Sequence, residues 1–166
     1  MNSLIRANAI RFFLIVLLQF LLKEVDYVNI DIYIYPVFIL LLPLGVIDGL
    51  LIGLSFFLGL CIDSFYNTIG LHASAAVFLA SVRPFVLKLL EPRGGYDKLK
   101  ALTKYHFGVR WFVQYSSILI LSHSIWVVAL EELTLISWWW VLRLIFVFVL
   151  SMLITILYQY IFNPKA

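Results

Sequence analysis

Six long apolar runs follow one another along this chain with only short polar breaks between them, and that succession decides which solvent the chain folds in. The runs lie at about residues 5–22, 31–46, 49–62, 70–90, 110–130 and 138–162. A helix that crosses hydrocarbon needs roughly 20 mainly apolar residues, fewer where it is short or its flanks snorkel to the interface. Hydrophobic residues make up 64% of the chain and charged residues 13%, against about 45–50% and about 25% in ordinary soluble domains. A small soluble fold keeps much of its surface in water, so it would be left with aggregating patches. The chain therefore reads as one all-α integral membrane domain over residues 1–166, a bundle of six transmembrane helices.

The second and third runs are the doubtful pair, because each is short and only Ile47 and Asp48 separate them clearly. Joined, about thirty residues would form a helix near 45 Å long at 1.5 Å per residue, too long for one membrane. Two helices in a tight hairpin are the expectation, and charge supports it. With six spans and a cytoplasmic N-terminus, Arg6, Arg11, Arg83, Lys88, Arg93, Lys98, Lys100, Lys104, Arg110 and Lys165 fall inside, while only Lys23 and Arg143 fall outside. Cytoplasmic enrichment in Lys and Arg is the usual sign of orientation. Five spans would place the basic loop at 91–109 on the side of Lys23 and lose the agreement.

Arg6 and Arg11 ahead of Phe12 to Leu22 imitate a signal sequence, but no small-residue cleavage site follows. An uncleaved first helix is expected. Trp138, Trp139 and Trp140 form an aromatic anchor at the outer interface, toward which Arg143 is expected to snorkel. The loop with Pro92-Arg93-Gly94-Gly95 and its lysines is placed against anionic lipid. A formal charge of +3 spread in this way is no nucleic-acid footprint. Cys61 is the only cysteine, so no internal disulfide forms.

Gly45, Gly49 and Gly53 recur every four residues, and Ala73, Ala76 and Ala80 form a second small face. Small residues at such spacing let helices approach closely. They are read as packing faces, with partner docking as the alternative. Gly59 and Gly70 flank the densest polar signal, which runs from Asp63 through His72 to Arg83-Pro84. Ionisable groups at membrane depth are costly, and normally pair or face the bundle interior. Sidedness pairs Asp63 with His72 at the outer end and Asp48 with Arg83 at the cytoplasmic end. His72 and Arg83 lie close to three helical turns apart, on one face. A packing clasp and a ligand- or partner-binding cluster both remain open for these four residues.

Nothing in the sequence has the form of a catalytic centre. His72, His106 and His123 lack metal-ligand spacing, and no HExxH, GxSxG or phosphate-cradling loop occurs. Ser122, His123 and Ser124 read as interhelical hydrogen-bonding groups. No cofactor or metal is expected.

The stretch from Tyr35-Pro36 to Leu42-Pro43, followed by Gly59-Leu60-Cys61-Ile62-Asp63-Ser64-Phe65 and Gly70-Leu71-His72-Ala73, resembles the rod shape-determining protein MreD family, whose pattern includes G-L-x-x-D and then G-x-H. The resemblance extends to length and helix count. It implies importance for Pro36, Gly59, Asp63, Gly70 and His72, and more weakly for Arg83-Pro84. It also implies a fold similar to the six-helix substrate-binding subunits of vitamin-uptake (ECF-type) transporters. By the same resemblance the chain would sit in the bacterial inner membrane with both termini cytoplasmic. It would catalyse nothing and would dock an MreC-like protein, in company with MreB, a RodA-like glycosyltransferase and a penicillin-binding transpeptidase. The competing expectation is the substrate-binding subunit of a small-molecule uptake transporter.

Overall fold

The computed structural model describes residues 2–23, 32–96, 102–131 and 138–162, with side chains in the first helix from Arg6 onward. Expectations placed on Asp31, Lys98, Lys100 and Lys165 lie outside the described residues. Among the described residues every regular element is helical: α1 Asn2–Lys23, α2 Pro36–Leu41, α3 Asp48–Tyr66, α4 Leu71–Leu89, α5 Lys104–Phe107, α6 Val109–Glu131 and α7 Trp138–Ile161. Four of these, α3, α4, α6 and α7, are long and apolar enough to cross a membrane. Their outward faces are apolar too, with Phe56, Phe57, Ile125, Phe146, Leu153 and Leu157 all exposed. Those faces suit lipid, which solvates apolar side chains as water does not.

The side-chain contacts fix the direction of each pass. At one end, Lys23 of α1 donates to the Phe65 carbonyl near the end of α3, and Asp63 of α3 reaches the start of α4. At the same end Arg143 of α7 pairs with Glu131 of α6. At the other end, Trp111 of α6 donates to the Leu90 carbonyl just past α4, and Lys104 lies over the Tyr160 ring of α7. Consequently α1, α3 and α6 run one way and α4 and α7 the other. The residues from Tyr33 to Leu42 make a second pass along the bundle, beside α1. Gln19 holds its start and Arg11 holds its far part, and these two residues stand about 12 Å apart along α1 at 1.5 Å per residue.

That second pass corrects the expected helix over 31–46. Only Pro36–Leu41 is helical, flanked by non-helical residues on both sides. Pro36 opens the helix at a position where proline's missing N–H costs nothing. Leu42 leaves it in an extended conformation just before Pro43, where helices commonly stop. The run from Tyr33 to Leu42 is buried throughout, and α2 packs on α1, α4 and α6. The expected tight hairpin of two spanning helices is therefore absent: turns and bends over 42–47 lead into α3, whose neighbours are α4 and α1.

Buried backbone outside a helix needs partners for its polar groups, and here side chains from four helices supply them. The Ser151 hydroxyl accepts from the Tyr33 N–H at 3.0 Å, and Gln19 Oε1 accepts from the Ile34 and Tyr35 N–H groups at 2.8 and 3.2 Å. Gln19 Nε2 donates back to the Ile32 carbonyl at 2.9 Å. At the far end Tyr115 donates to the Leu40 carbonyl at 3.0 Å, Arg11 to that of Leu41 at 3.2 Å, and Arg83 to that of Leu42. The guanidinium groups suit this place, because the carbonyl end of a helix attracts positive charge.

The third helix also differs from expectation. It continues past Ile62 to Tyr66 and stops where Asn67 turns left-handed at φ 54°. The Asn67 and Thr68 N–H groups then close back on the Asp63 carbonyl, a helix stop for which asparagine is the usual substitute for glycine. Gly70, at φ +80°, reverses the chain into α4, a conformation that costs a side-chain-bearing residue. The cytoplasmic-loop expectation over 91–109 meets a short helix, α5, and a packed loop. There Tyr96 donates to the Leu87 carbonyl, and burial pushes its hydroxyl pKa up to about 12, so it remains a donor.

Candidate functional site

Helices α3 and α4 meet backbone to backbone at Gly59. A Cβ there would lie 2.3 Å from the Ala73 Cα and 2.6 Å from the His72 carbonyl oxygen. The backbones meet where no side chain intervenes. Ala73, Ala76 and Ala80 are all buried, as expected of a small packing face. Gly49 and Gly53 behave otherwise, since a Cβ at either meets open space, and Gly45 is exposed. Among the described residues the expected glycine face at 45, 49 and 53 is exposed and packs on no neighbouring helix.

One turn beyond Gly59, the Asp63 carboxylate accepts from the backbone N–H groups of His72 at 2.9 Å and Ala73 at 3.0 Å, and from the Thr68 hydroxyl. The first N–H groups of a helix have no partner within it, and a negative charge there also meets the favourable end of the helix dipole. Asp63 thus caps α4 from the neighbouring helix. The expected pairing of Asp63 with His72 exists, but through the histidine backbone. The expected pairing of Asp48 with Arg83 does not form: Asp48 is exposed at the start of α3, while buried Arg83 serves the Leu42 carbonyl and the Tyr115 hydroxyl, the latter at 3.1 Å. A neutral carbonyl, rather than a carboxylate, takes the guanidinium.

The His72 imidazole points into the bundle. Its Nδ1 is 3.3 Å from the Tyr35 hydroxyl, which also hydrogen-bonds His123 Nε2 on α6. Tyr33 lies against both rings, with centroids 5.5 and 5.6 Å away, and Tyr66 packs on His72 at 4.9 Å. His72 and Arg83 are both buried on the inward side of α4, as their spacing predicted. They do different work: one faces the start of the broken pass, the other its end.

His123 bonds to Tyr35, just ahead of α2, whereas among the described residues Ser122 bonds to the Leu119 carbonyl of its own helix and the buried Ser124 hydroxyl has no partner. Tyr35 and Gln19 were not singled out from the sequence. The signal for Gln19 is a lone amide in the apolar run from Phe12 to Leu22, a residue type that membrane helices use to bond across their interfaces. Arg143, expected to snorkel toward the aromatic belt, reaches Glu131 at the end of α6.

Among the described residues no three His, Cys, Asp or Glu side chains gather as a metal would require. No protein-family model, curated protein or solved structure matches the chain.

Proposed function

We propose that this polytopic helical membrane protein is a non-enzymatic scaffold, one that works by presenting a fixed shape to another membrane protein. More particularly, it is an MreD-like component of the bacterial rod complex. It docks an MreC-like partner beside the wall-synthesis enzymes in the inner membrane.

The observation that carries this reading is the use made of the residues singled out by the resemblance. Pro36 starts α2, Gly59 admits Ala73, Asp63 caps α4, Gly70 makes the reversal and Arg83 closes the broken pass. His72 completes the inner contact with Tyr35. All six build one internal framework, and none supplies an exposed acid, base or nucleophile.

Alternation of the passes supports a cytoplasmic placement of both ends, since Arg6, Lys88, Arg93, Lys104 and Arg110 gather at the end that holds the start of α1 and the end of α7. Co-purification in mild detergent tests the proposal. The folded chain is expected to retain an MreC-like partner from the same cell, and a well-folded chain that retains none contradicts it.

The broken second pass favours one other reading. Interrupted membrane segments line the substrate sites of many transporters, and here the interruption abuts the Tyr33, His72 and His123 cluster. A substrate-binding uptake subunit would co-purify with a transporter ATPase instead.

A further inference from the structure

The Tyr35 hydroxyl touches two imidazoles and has no other hydrogen-bond partner among the described residues. Its single proton goes to one ring, so it accepts from the other. If it donates to His123 Nε2, then His72 carries its proton on Nδ1 and His123 on Nδ1 as well. If it donates to His72 Nδ1, both rings carry the proton on Nε2. Either way the two rings, in their neutral form, share one tautomer.

The same arithmetic fixes the outer nitrogens. His72 Nε2 and His123 Nδ1 are buried with no hydrogen-bond partner. In the first arrangement His72 Nε2 is a bare acceptor and His123 Nδ1 a bare donor; in the second the roles exchange. One donor and one acceptor are left over in both. Buried polar groups without partners are rare and costly, and ordered internal molecules usually satisfy them.

We propose that the His72–Tyr35–His123 chain binds a neutral hydroxylic ligand inside the bundle, with water its smallest member, at its two open nitrogens. A metal ion fits poorly, because it needs a lone pair from each ring and the shared tautomer offers only one. An anion fits poorly for the same reason, since only one donor is open. A molecule that both donates and accepts suits the open donor and the open acceptor alike, in either arrangement.

The test is nitrogen-15 NMR of the full chain, labelled at histidine and leucine, in lipid nanodiscs. The resonances are assigned by His72→Asn and His123→Asn, and native mass spectrometry is run alongside. The expected result is one shared tautomer, together with polarisation from water reaching both ring nitrogens several-fold faster than the buried Leu119 amide.

Slow transfer accompanied by a retained small mass, lost in His72→Asn, supports the proposal with an organic hydroxylic solute as the source. Opposite tautomers on the two rings overturn it, as does slow transfer with no retained mass. Tyr35→Phe keeps both rings and removes the bridge, so it should uncouple their tautomers. If they remain locked together, the bridge is wrong.

Discussion

Replacing Gly59 with alanine is the smallest change that strikes the framework where α3 and α4 meet backbone to backbone. The added methyl carbon would sit 2.3 Å from the Ala73 Cα, 2.6 Å from the Ala73 nitrogen and 2.6 Å from the His72 carbonyl oxygen. Carbon atoms pack at about 3.5–4.0 Å, so α3 and α4 must separate by on the order of 1 Å. All three obstacles are backbone, and no side-chain rotation relieves them. One turn along, the Asp63 bonds to the His72 and Ala73 N–H groups measure 2.9 and 3.0 Å, and an opening of that size takes both beyond bonding range. Overpacking costs about 1–3 kcal/mol and each lost bond about 1 kcal/mol, so the sum is about 3–5 kcal/mol. Thermal unfolding in mild detergent, followed by tryptophan fluorescence and by the fraction that stays monodisperse, measures it. Gly53→Ala is the control, because a Cβ there meets open space. If Gly59→Ala melts with the parent, the close approach of α3 and α4 is wrong, and so is the framework built on it.

Gln19→Leu removes the one side-chain acceptor that the described residues offer the Ile34 and Tyr35 N–H groups and should cost about 1–3 kcal/mol for each group left unpaired. Hydrogen exchange at both amides should rise, and unchanged exchange would refute the pinning. Arg83→Met strands the Leu42 carbonyl but leaves Tyr115 on that of Leu40; a loss of about 1–3 kcal/mol in the same melting assay is expected, with exchange rising locally over α2. Asp63→Asn keeps size but puts an amide donor where three donors converge on the carboxylate. A loss of about 1–3 kcal/mol, with normal membrane insertion, is the outcome; failure to insert would mean Asp63 acts earlier, in assembly. Gly49→Leu should change stability by no more than about 0.5 kcal/mol, and a large loss would restore the glycine stripe as an internal packing face.

Hydropathy located the long helices well, because in lipid an isolated apolar run has little choice but to close its own hydrogen bonds. The runs at 70–90, 110–130 and 138–162 became α4, α6 and α7 with ends shifted by only a residue or two. The run at 31–46 failed for the complementary reason. Apolarity reports burial, and a buried segment need not be helical when neighbours satisfy its backbone. Pro36 and Pro43 marked the limits of the short helix, yet they read equally well as interruptions within a longer one. What decides between those readings is Gln19, Arg11, Tyr115 and Ser151, each distant in the chain, and no local pattern announces their meeting. Sidedness brought Asp63 near His72 and Arg83 near the end of the second run. It did not distinguish a side-chain partner from a backbone one, and that distinction separates the two predicted ion pairs from the helix cap and carbonyl clamp in the structure.

The proposed arrangement of six alternating passes, with the second as broken backbone, is tested most directly by cysteine labelling. With Cys61 replaced by serine, single cysteines are introduced as Gly45→Cys and Ile69→Cys, both at exposed positions on opposite sides of α3. Whole cells with a permeable outer membrane are treated with a maleimide that does not cross the inner membrane. The account predicts that Ile69→Cys reacts at once, and that Gly45→Cys reacts only after the inner membrane is opened. Labelling of both from the same side would contradict it, because α3 would then not cross and the second pass would not return the chain.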